Sequence, residues 1–364
     1  MNADTPQIGC TVEDISTPYL CLDLDKFDSN VRSMVATCRK NNIEWRPHSK
    51  CHKSPVIAQW LLDAGAGGIT CATVREAEVM AGAGISDILI ANMVAGNAKV
   101  ARLVQVAQQA DLLICVDNIN QATAISQAMN EASASVRVLI ELEIGLNRVG
   151  VASNESAIRL ASQVNELPGL ELAGLMAYEG HLLTIQDLTE KQTAIRNALG
   201  KVVELRKQFE TGGLVCPIVS CGGTGSYPIT VGQSGITEIQ AGGAIFMDAF
   251  YQDACRITEL QYALTLQTTV VSLPTPDRAI IDAGHKAMNM SVHLPYVHNR
   301  PDLTVAWLSA EHGALERSPE EGLLLEIGQQ LEVIPGYGDL TNMLHPHFHG
   351  FRNGCLERLI PIVR

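Results

Sequence analysis

The sequence predicts an α/β chain, a (β/α)8 barrel followed by a C-terminal mostly-β domain. Three observations carry that reading. First, short apolar runs alternate with longer amphipathic stretches as far as Cys255. Such alternation argues for parallel strands joined by crossover helices. Second, the alternation stops near Leu260, where period-two runs rich in β-branched residues take over, as in Ala-Leu-Thr-Leu-Gln-Thr-Thr-Val-Val-Ser at 263–272. Third, no G-x-G-x-x-G turn opens the first strand–helix unit. This weakens the open doubly wound sheet, the competing architecture.

Taken in order, an opening strand at 19–25 precedes a helix at 26–41. Eight barrel strands follow at 43–49, 67–73, 87–93, 111–117, 135–144, 170–178, 217–222 and 238–246. Helix-period segments lie at 55–64, 74–82, 98–110, 121–132, 156–165 and 188–211. Eight repeats over roughly 200 residues suit a closed barrel. Further strands are expected at 278–282, 303–308, 323–327, 330–334 and 359–363. The domain boundaries expected are 1–25 for an N-terminal segment whose strand joins the β domain, 26–255 for the barrel and 256–364 for the β domain.

Bulk composition narrows the function. The chain of 364 residues is 46% hydrophobic, enough for a large core, and its net charge of −13 argues against nucleic acid or an anionic membrane as the main partner. The ten cysteines are scattered without C-x-x-C spacing, the pattern of reduced core thiols in a cytoplasmic protein. No signal peptide opens the chain, and no apolar run reaches the ~18 residues of a membrane span.

Barrels place their chemistry at the C-terminal ends of strands. That rule selects Lys50, Asn92, Asp117 with Asn118, Asn147 with Arg148, Tyr178 to His181, Gly222 to Ser226, and Gly242 with Gly243. The glycines at 222–226, with Thr224 and Ser226, form a loop suited to an anion, and phosphate sites in barrels are often built after the seventh and eighth strands. A plain tight turn explains the same glycines. Lys50 stands in Arg46-Pro47-His48-Ser49-Lys50-Cys51-His52-Lys53. At a barrel mouth, desolvation and neighbouring positive charge turn a lysine into a nucleophilic amine. A solvated basic patch is the alternative. Lysine, phosphate cradle and barrel together suit pyridoxal 5′-phosphate (PLP).

The run from Arg46 to Lys53 resembles the R-P-H-x-K-x-H-K motif of the D-threonine aldolase / D-serine dehydratase family, whose fold is that of alanine-racemase-like PLP enzymes. Gly145 to Gly150, Gly174 to Gly180, Gly222-Gly223-Thr224-Gly225-Ser226, Glu238 to Asp248, Asp282 to Lys286 and Glu311-His312-Gly313 resemble further family motifs, in order along the chain. The resemblance implies that Lys50 holds PLP as a Schiff base and that Lys53 is a supporting charge. Arg148 would contact the cofactor's phenolic oxygen or the substrate carboxylate, and Tyr178 would face the ring. Thr224, Gly225, Ser226, Gly242 and Gly243 would cradle the phosphate, with His312 a candidate at the mouth. A homodimer is implied as well.

The family's divalent-metal segment, P-x-H-x-D/C, reads Pro335-Gly336-Tyr337-Gly338-Asp339 here. Asp339 matches and Tyr337 replaces the histidine. Three readings follow. In one, the metal is lost and Tyr337 exchanges the proton itself, helped by Asp339. In another, Mn, Mg or Zn persists on Asp339 and one of His345, His347 and His349, which alternate at strand spacing. In the third, that histidine row is surface. The resemblance implies a lyase cleaving a D-β-hydroxy amino acid to glycine and an aldehyde, with catalytic candidates Lys50, Tyr337 and His312. A D-serine or D-3-hydroxyaspartate dehydratase, an amino-acid racemase and a non-catalytic PLP-binding protein are the alternatives.

Overall fold

The structure, a computed structural model, describes residues 6–317 and 324–363. It contains two compact units, one of Met1–Arg32 with Gly243–Arg364 and the other of Ser33–Gly242.

The unit Ser33–Gly242 is the barrel. After the opening strand β1 (Tyr19–Asp23), which belongs to the other unit, its strands are β2 (Glu44–Trp45), β3 (Ile69–Cys71), β4 (Asp87–Met93), β5 (Asp111–Val116), β6 (Val136–Glu141), β7 (Leu170–Met176), β8 (Ile218–Cys221) and β9 (Glu238–Ile239). They form one eight-stranded parallel sheet in the order β2-β9-β8-β7-β6-β5-β4-β3. A parallel bridge between His48 and Thr70 joins its two ends, so the sheet closes. All eight expected strands are present, most of them shortened at their ends.

The helices are α1 (Leu24–Lys40), α2 (Pro55–Ala64), α3 (Val74–Gly82), α4 (Asn97–Ala107), α5 (Ile119–Glu131), α6 (Asn154–Glu166), α7 (Leu188–Thr211) and the single turn α8 (Tyr227–Thr230). Their starts are set locally. The side chains of Thr73, Asn118, Ser153 and Asp187 each accept a backbone N–H of the first turn, and Pro55 stands in the first turn of α2, where a missing N–H costs nothing. Asn118 is thus spent on a helix cap rather than on the barrel mouth.

Strand residues two apart face the same side. In β4, β5 and β6 that side begins with Asp87, Asp111 and Arg137 and continues with Leu89, Leu113 and Leu139. The leucines join Cys115, Ala173 and Met176 in a fully apolar cluster. Beneath it lies an ionic layer. Arg46 Nε is 3.1 Å from Glu238 and its Nη1 2.7 Å from Asp87, while Arg137 pairs with Asp87 at 3.3 Å and Asp111 at 2.7 Å. Arg46 therefore faces the bottom of the barrel, not a positive cluster around Lys50. Gly68 is required there, because a Cβ on it would stand 2.0 Å from Arg46 Nη1.

The other unit carries a nine-stranded sheet. Its strands are β1, β10 (Leu264–Thr275), β11 (Arg278–Ile281), β12 (Tyr296–Val297), β13 (Thr304–Leu308), β14 (Gly313–Glu316), β15 (Gln330–Ile334), β16 (His347–Arg352) and β17 (Cys355–Pro361). All pairings are antiparallel except β1 with β16. A further single turn, α9 (Gly338–Thr341), precedes β16.

Two expectations need correction. Residues 324–327 are coil and turn rather than strand, and Leu323 lies outside the described residues. The boundaries stand at 32/33 and 242/243, not at 25/26 and 255/256. The last barrel strand ends at Ile239 instead of running to Phe246, and the chain after Gly242 packs into the β unit. Phe246 lies 5.2 Å from Phe348 and 6.3 Å from Phe27, ring centre to ring centre, and its carbonyl accepts the Ala263 N–H at 2.8 Å.

All ten cysteines are thiols; Cys355 is exposed, Cys10 partly so and the others buried. Among the described residues no helix is long and apolar enough to cross a membrane.

Because Arg46 is buried against Glu238, its replacement by methionine leaves that buried carboxylate without its cation, whereas the part-exposed Asp87 keeps Arg137. Urea unfolding of Arg46→Met should show a loss of about 3–5 kcal/mol; a loss under ~1 kcal/mol, the scale of an exposed pair, would mean that the ionic layer does not hold the barrel.

Candidate active site

The upper rim of the barrel gathers most of the residues that the sequence singles out. Lys50 stands on a 3-10 turn, Ser49–Cys51, directly after the strand that closes the barrel, and its N–H donates to His48 Nδ1 at 3.4 Å. His48 is locked from both sides. Its N–H donates to the Gln240 carbonyl at 3.2 Å, and a Cβ on Gly242 would stand 2.3 Å from its own carbonyl oxygen. Gly242 thus lets two strand ends approach closely enough to fix the segment that carries Lys50.

The positive cluster expected around Lys50 is dispersed. Arg46 is consumed in the ionic layer. Lys53 pairs with Glu76 at 3.1 Å. Burial pushes His52 down to about 3 and holds His48 well below its ordinary value, with Lys50 among the charges that add to the effect. Both imidazoles are therefore neutral at pH 7.

Tyr178 is the meeting point of three loops. A Cβ on Gly180 would stand 2.5 Å from its ring and one on Gly223 3.0 Å, so glycine alone lets the two chains flank it. The Arg148 guanidinium lies over the ring, 5.6 Å from its centre, within cation–π range. Arg148 Nη2 donates to the buried Glu141 at 3.3 Å.

Glu179, selected with Tyr178 by its place at a strand end but given no role there, holds the start of the Gly222–Ser226 loop and the turn that follows it at Thr230. Fully buried, Glu179 accepts the Gly222 N–H at 3.3 Å and the Thr230 hydroxyl at 2.7 Å. The Gly223 N–H donates to Ser226 Oγ at 3.1 Å, and Gly222 sits at φ +75°, a conformation glycine adopts freely. From Gly222 to Thr230 the chain has no acidic residue, and both oxygens of the nearby Glu179 already have donors. Buried hydroxyls on Thr224 and Ser226, with the turn at Gly225, give a donor-rich and acid-free cradle that fits a phosphate. Gly243 belongs to the other unit, where a Cβ would stand 2.5 Å from the Tyr251 ring, so packing inside that unit accounts for it.

Two further rim residues do structural work. Asp117 accepts the Gly150 N–H at 3.0 Å, and Asn92 donates to the Ala72 carbonyl at 2.8 Å.

In the β unit, Tyr337 stands at the N-cap position of α9 without a side-chain capping bond, and its hydroxyl donates to Asp339 Oδ2 at 3.1 Å. Its ring meets Phe250 and Tyr251 edge-on at 5.4 and 5.9 Å. Behind the pair lies Asp248, another carboxylate the sequence reading left unassigned although it ends a family motif. It accepts Gly338 N–H at 2.7 Å and Tyr251 N–H at 2.9 Å, and burial raises it to about 8.

A divalent metal does not fit this donor set. Tyr337 supplies a neutral phenol where imidazole would bind, and its proton occupies one oxygen of Asp339. The histidine row does not complete the set. His345 Nε2 is 2.7 Å from the Ala287 carbonyl, and His349 Nδ1 is 3.2 Å from that of Leu20. Among the described residues no group of three or more His, Cys, Asp or Glu side chains could hold a metal ion. His312 is exposed on a turn, its carbonyl accepting the Ser309 N–H at 2.8 Å.

A closed parallel barrel with a lysine after its first strand and a phosphate cradle after its seventh, followed by a β unit, defines the alanine-racemase-like class of PLP-dependent enzymes. A family model described as the N-terminal domain of alanine racemase matches residues 22–249, and one described as a putative serine dehydratase domain matches 263–351. The chain is 36% identical to a D-threonine aldolase from Arthrobacter sp., over 96% of this chain and 93% of that one. It is 32% identical to a 3-hydroxy-D-aspartate aldolase from Paracoccus denitrificans (strain Pd 1222), over 99% and 95%. The crystal structure of D-threonine aldolase from Filomicrobium marinum superposes with a TM-score of 0.92 at 33% identity, covering 98% of each chain. The chain belongs to the D-threonine aldolase / D-serine dehydratase family.

Acid should expose the neutral histidines. Burial depresses His349 to about 4, so its share of stability is complete above pH 6.5 and is lost as pH falls towards 4. Thermal melts between pH 7 and 5 should therefore fall less steeply in His349→Asn, whose amide nitrogen replaces Nδ1 on the Leu20 carbonyl. Parallel slopes would remove His349 from the acid response.

Proposed function

We propose that this chain is a PLP-dependent lyase that cleaves a D-β-hydroxy amino acid, such as D-threonine or D-3-hydroxyaspartate, to glycine and an aldehyde. The observation that carries this reading is the 36% and 32% identity to two aldolases over nearly the whole chain, joined to a Tyr337–Asp339 pair that can take a proton without a metal. PLP, when bound, supplies the electron sink for the carbanion left by Cα–Cβ cleavage.

The chain's own residues supply the rest. Lys50, whose backbone is fixed through His48, would hold the cofactor by its amine. Thr224, Gly225 and Ser226 would hold the phosphate, supported by Glu179. Tyr178 offers a flat face held between two glycines, and Arg148 offers a positive charge to an anionic oxygen. The β-hydroxyl proton goes to Tyr337, whose own proton is held by Asp339 Oδ2 at 3.1 Å, a general-base arrangement. A dehydratase needs the hydroxyl to leave, a step that gains more from a metal than retro-aldol cleavage does. The match of residues 263–351 to the serine dehydratase model keeps that reaction as the second reading. The same resemblance supports a homodimer, and ten cysteines without a disulfide suit a reducing, cytoplasmic setting.

Incubated with D-threonine, D-serine and D-3-hydroxyaspartate, the cofactor-loaded protein should release glycine and an aldehyde. Keto acid as the main product would reverse the assignment in favour of the dehydratase, and solvent deuterium at Cα without either product would mean a racemase. Chelation followed by Mn²⁺ or Zn²⁺ should leave the rate unchanged, whereas Tyr337→His should gain a response to added metal. A chelator-sensitive unmodified protein would refute the metal-free reading.

A further inference from the structure

The loop from Glu143 to Gly150 carries Arg148, and its backbone is pinned twice. Glu143 accepts the N–H groups of Gly145 and Arg148, and Asp117 accepts that of Gly150 at 3.0 Å. Gly145 and Gly150 take φ +133° and +105°, and Asn147 φ +55°, so the loop is shaped to its anchors. Neither anchor directs the Arg148 side chain, which is 48% exposed. Its direction rests on the face of Tyr178 and on Glu141.

Glu141 ends β6 on the inward side, two residues beyond Leu139 of the apolar cluster. It is 3% exposed. One oxygen meets Arg148 Nη2 at 3.3 Å, while the other, Oε2, is buried without a hydrogen-bond partner. Its carboxyl is raised by burial and drawn back down by Arg148. Leaving a buried carboxylate oxygen unpaired is costly, and apolar side chains fill the same face one layer below. A carboxylate here contributes nothing to the barrel core that a leucine would not contribute better.

We infer that Glu141 is a positioning residue: its carboxylate aims the Arg148 guanidinium over Tyr178 and tempers the positive charge which that guanidinium presents to the cofactor. The inference rests on the reading of Arg148 as a cofactor or substrate contact. It assigns Glu141 no contact with substrate. Glu141→Gln keeps shape and one acceptor but removes the charge, and Glu141→Ala removes both.

The first readout is the pH dependence of the bound cofactor's absorbance. Loss of a nearby negative charge disfavours any proton-holding group, so the midpoint should move to lower pH by about one unit in Glu141→Gln. In an Arg148→Met background the same substitution should move it no further, because residues acting through one another are not additive. The second readout is turnover. Glu141→Ala should lose at least about tenfold in kcat/KM, and Glu141→Gln should recover part of it through the retained acceptor, a split that general loss of packing does not produce. Should Glu141→Ala fail to fold, the near-isosteric glutamine variant carries the comparison through the spectrum alone. An unmoved midpoint in Glu141→Gln beside a moved one in Arg148→Met overturns the inference and leaves Arg148 in place. Silence in both variants overturns the inference and the assignment of Arg148 together.

Discussion

The architecture depends on Arg46, buried near the bottom of the barrel between Glu238 of the last strand and Asp87 of the third barrel strand. One guanidinium ties the strand that opens the barrel to one neighbour across the closure and to another across the interior. Its planar fork can serve two carboxylates at once, which a lysine could not do. Burying the Arg46 and Glu238 charges is expensive, and the return is register. Glu238 sits opposite Glu44 in the parallel pairing, so the short first strand, only two residues by its ladder, is held where its few backbone bonds alone would let it slide. From Arg46 the chain has four residues to reach Lys50, and the N–H groups of Arg46 and His48 both donate to the last strand. The place of the proposed cofactor lysine is thus set from below as much as from around it.

The barrel was legible because its signal is repetitive. Eight apolar runs with helix-period stretches between them leave few architectures, and α7 at Leu188–Thr211 falls where the periodicity puts it. Arg46 was read in the wrong direction. A basic run next to a lysine looks like a positive pocket, yet strand alternation sends Arg46 to the ionic layer, and burial neutralises His48 and His52. Whether a charge is paired depends on strands far away in sequence, Asp87 and Glu238 here, and no local pattern reports that. Glu141 was missed for the same reason, and Glu179, though selected by its place at a strand end, was given no role. A carboxylate in sequence reads as surface, and only closure of the sheet shows it to be interior. The early boundary at Gly243 went unread because Phe246 has the hydrophobicity of a strand residue, while its partners Phe27 and Phe348 come from opposite ends of the chain.

In the β unit the informative feature is a substitution of one donor type for another. By the family resemblance Tyr337 stands where the metal-binding segment has its histidine, and its surroundings suit a phenol. Its hydroxyl has an acceptor in Asp339, its ring has two aromatic neighbours, and the turn behind it is tied to Asp248 by the Gly338 N–H. The family resemblance made the departure visible; the hydrogen bond from Tyr337 to Asp339 gives it a physical meaning.

The distribution of thiols has a practical consequence. Burial lifts Cys21, Cys38, Cys71 and Cys216 to about 12, so at neutral pH they hold almost no thiolate, the form that alkylating reagents attack. Cys355, by contrast, opens the edge strand β17 to solvent. Cys355 is therefore a ready handle for a fluorophore or a surface tether, with Cys10, partly exposed, the one other thiol near solvent, and immobilisation through it would leave the buried barrel thiols untouched.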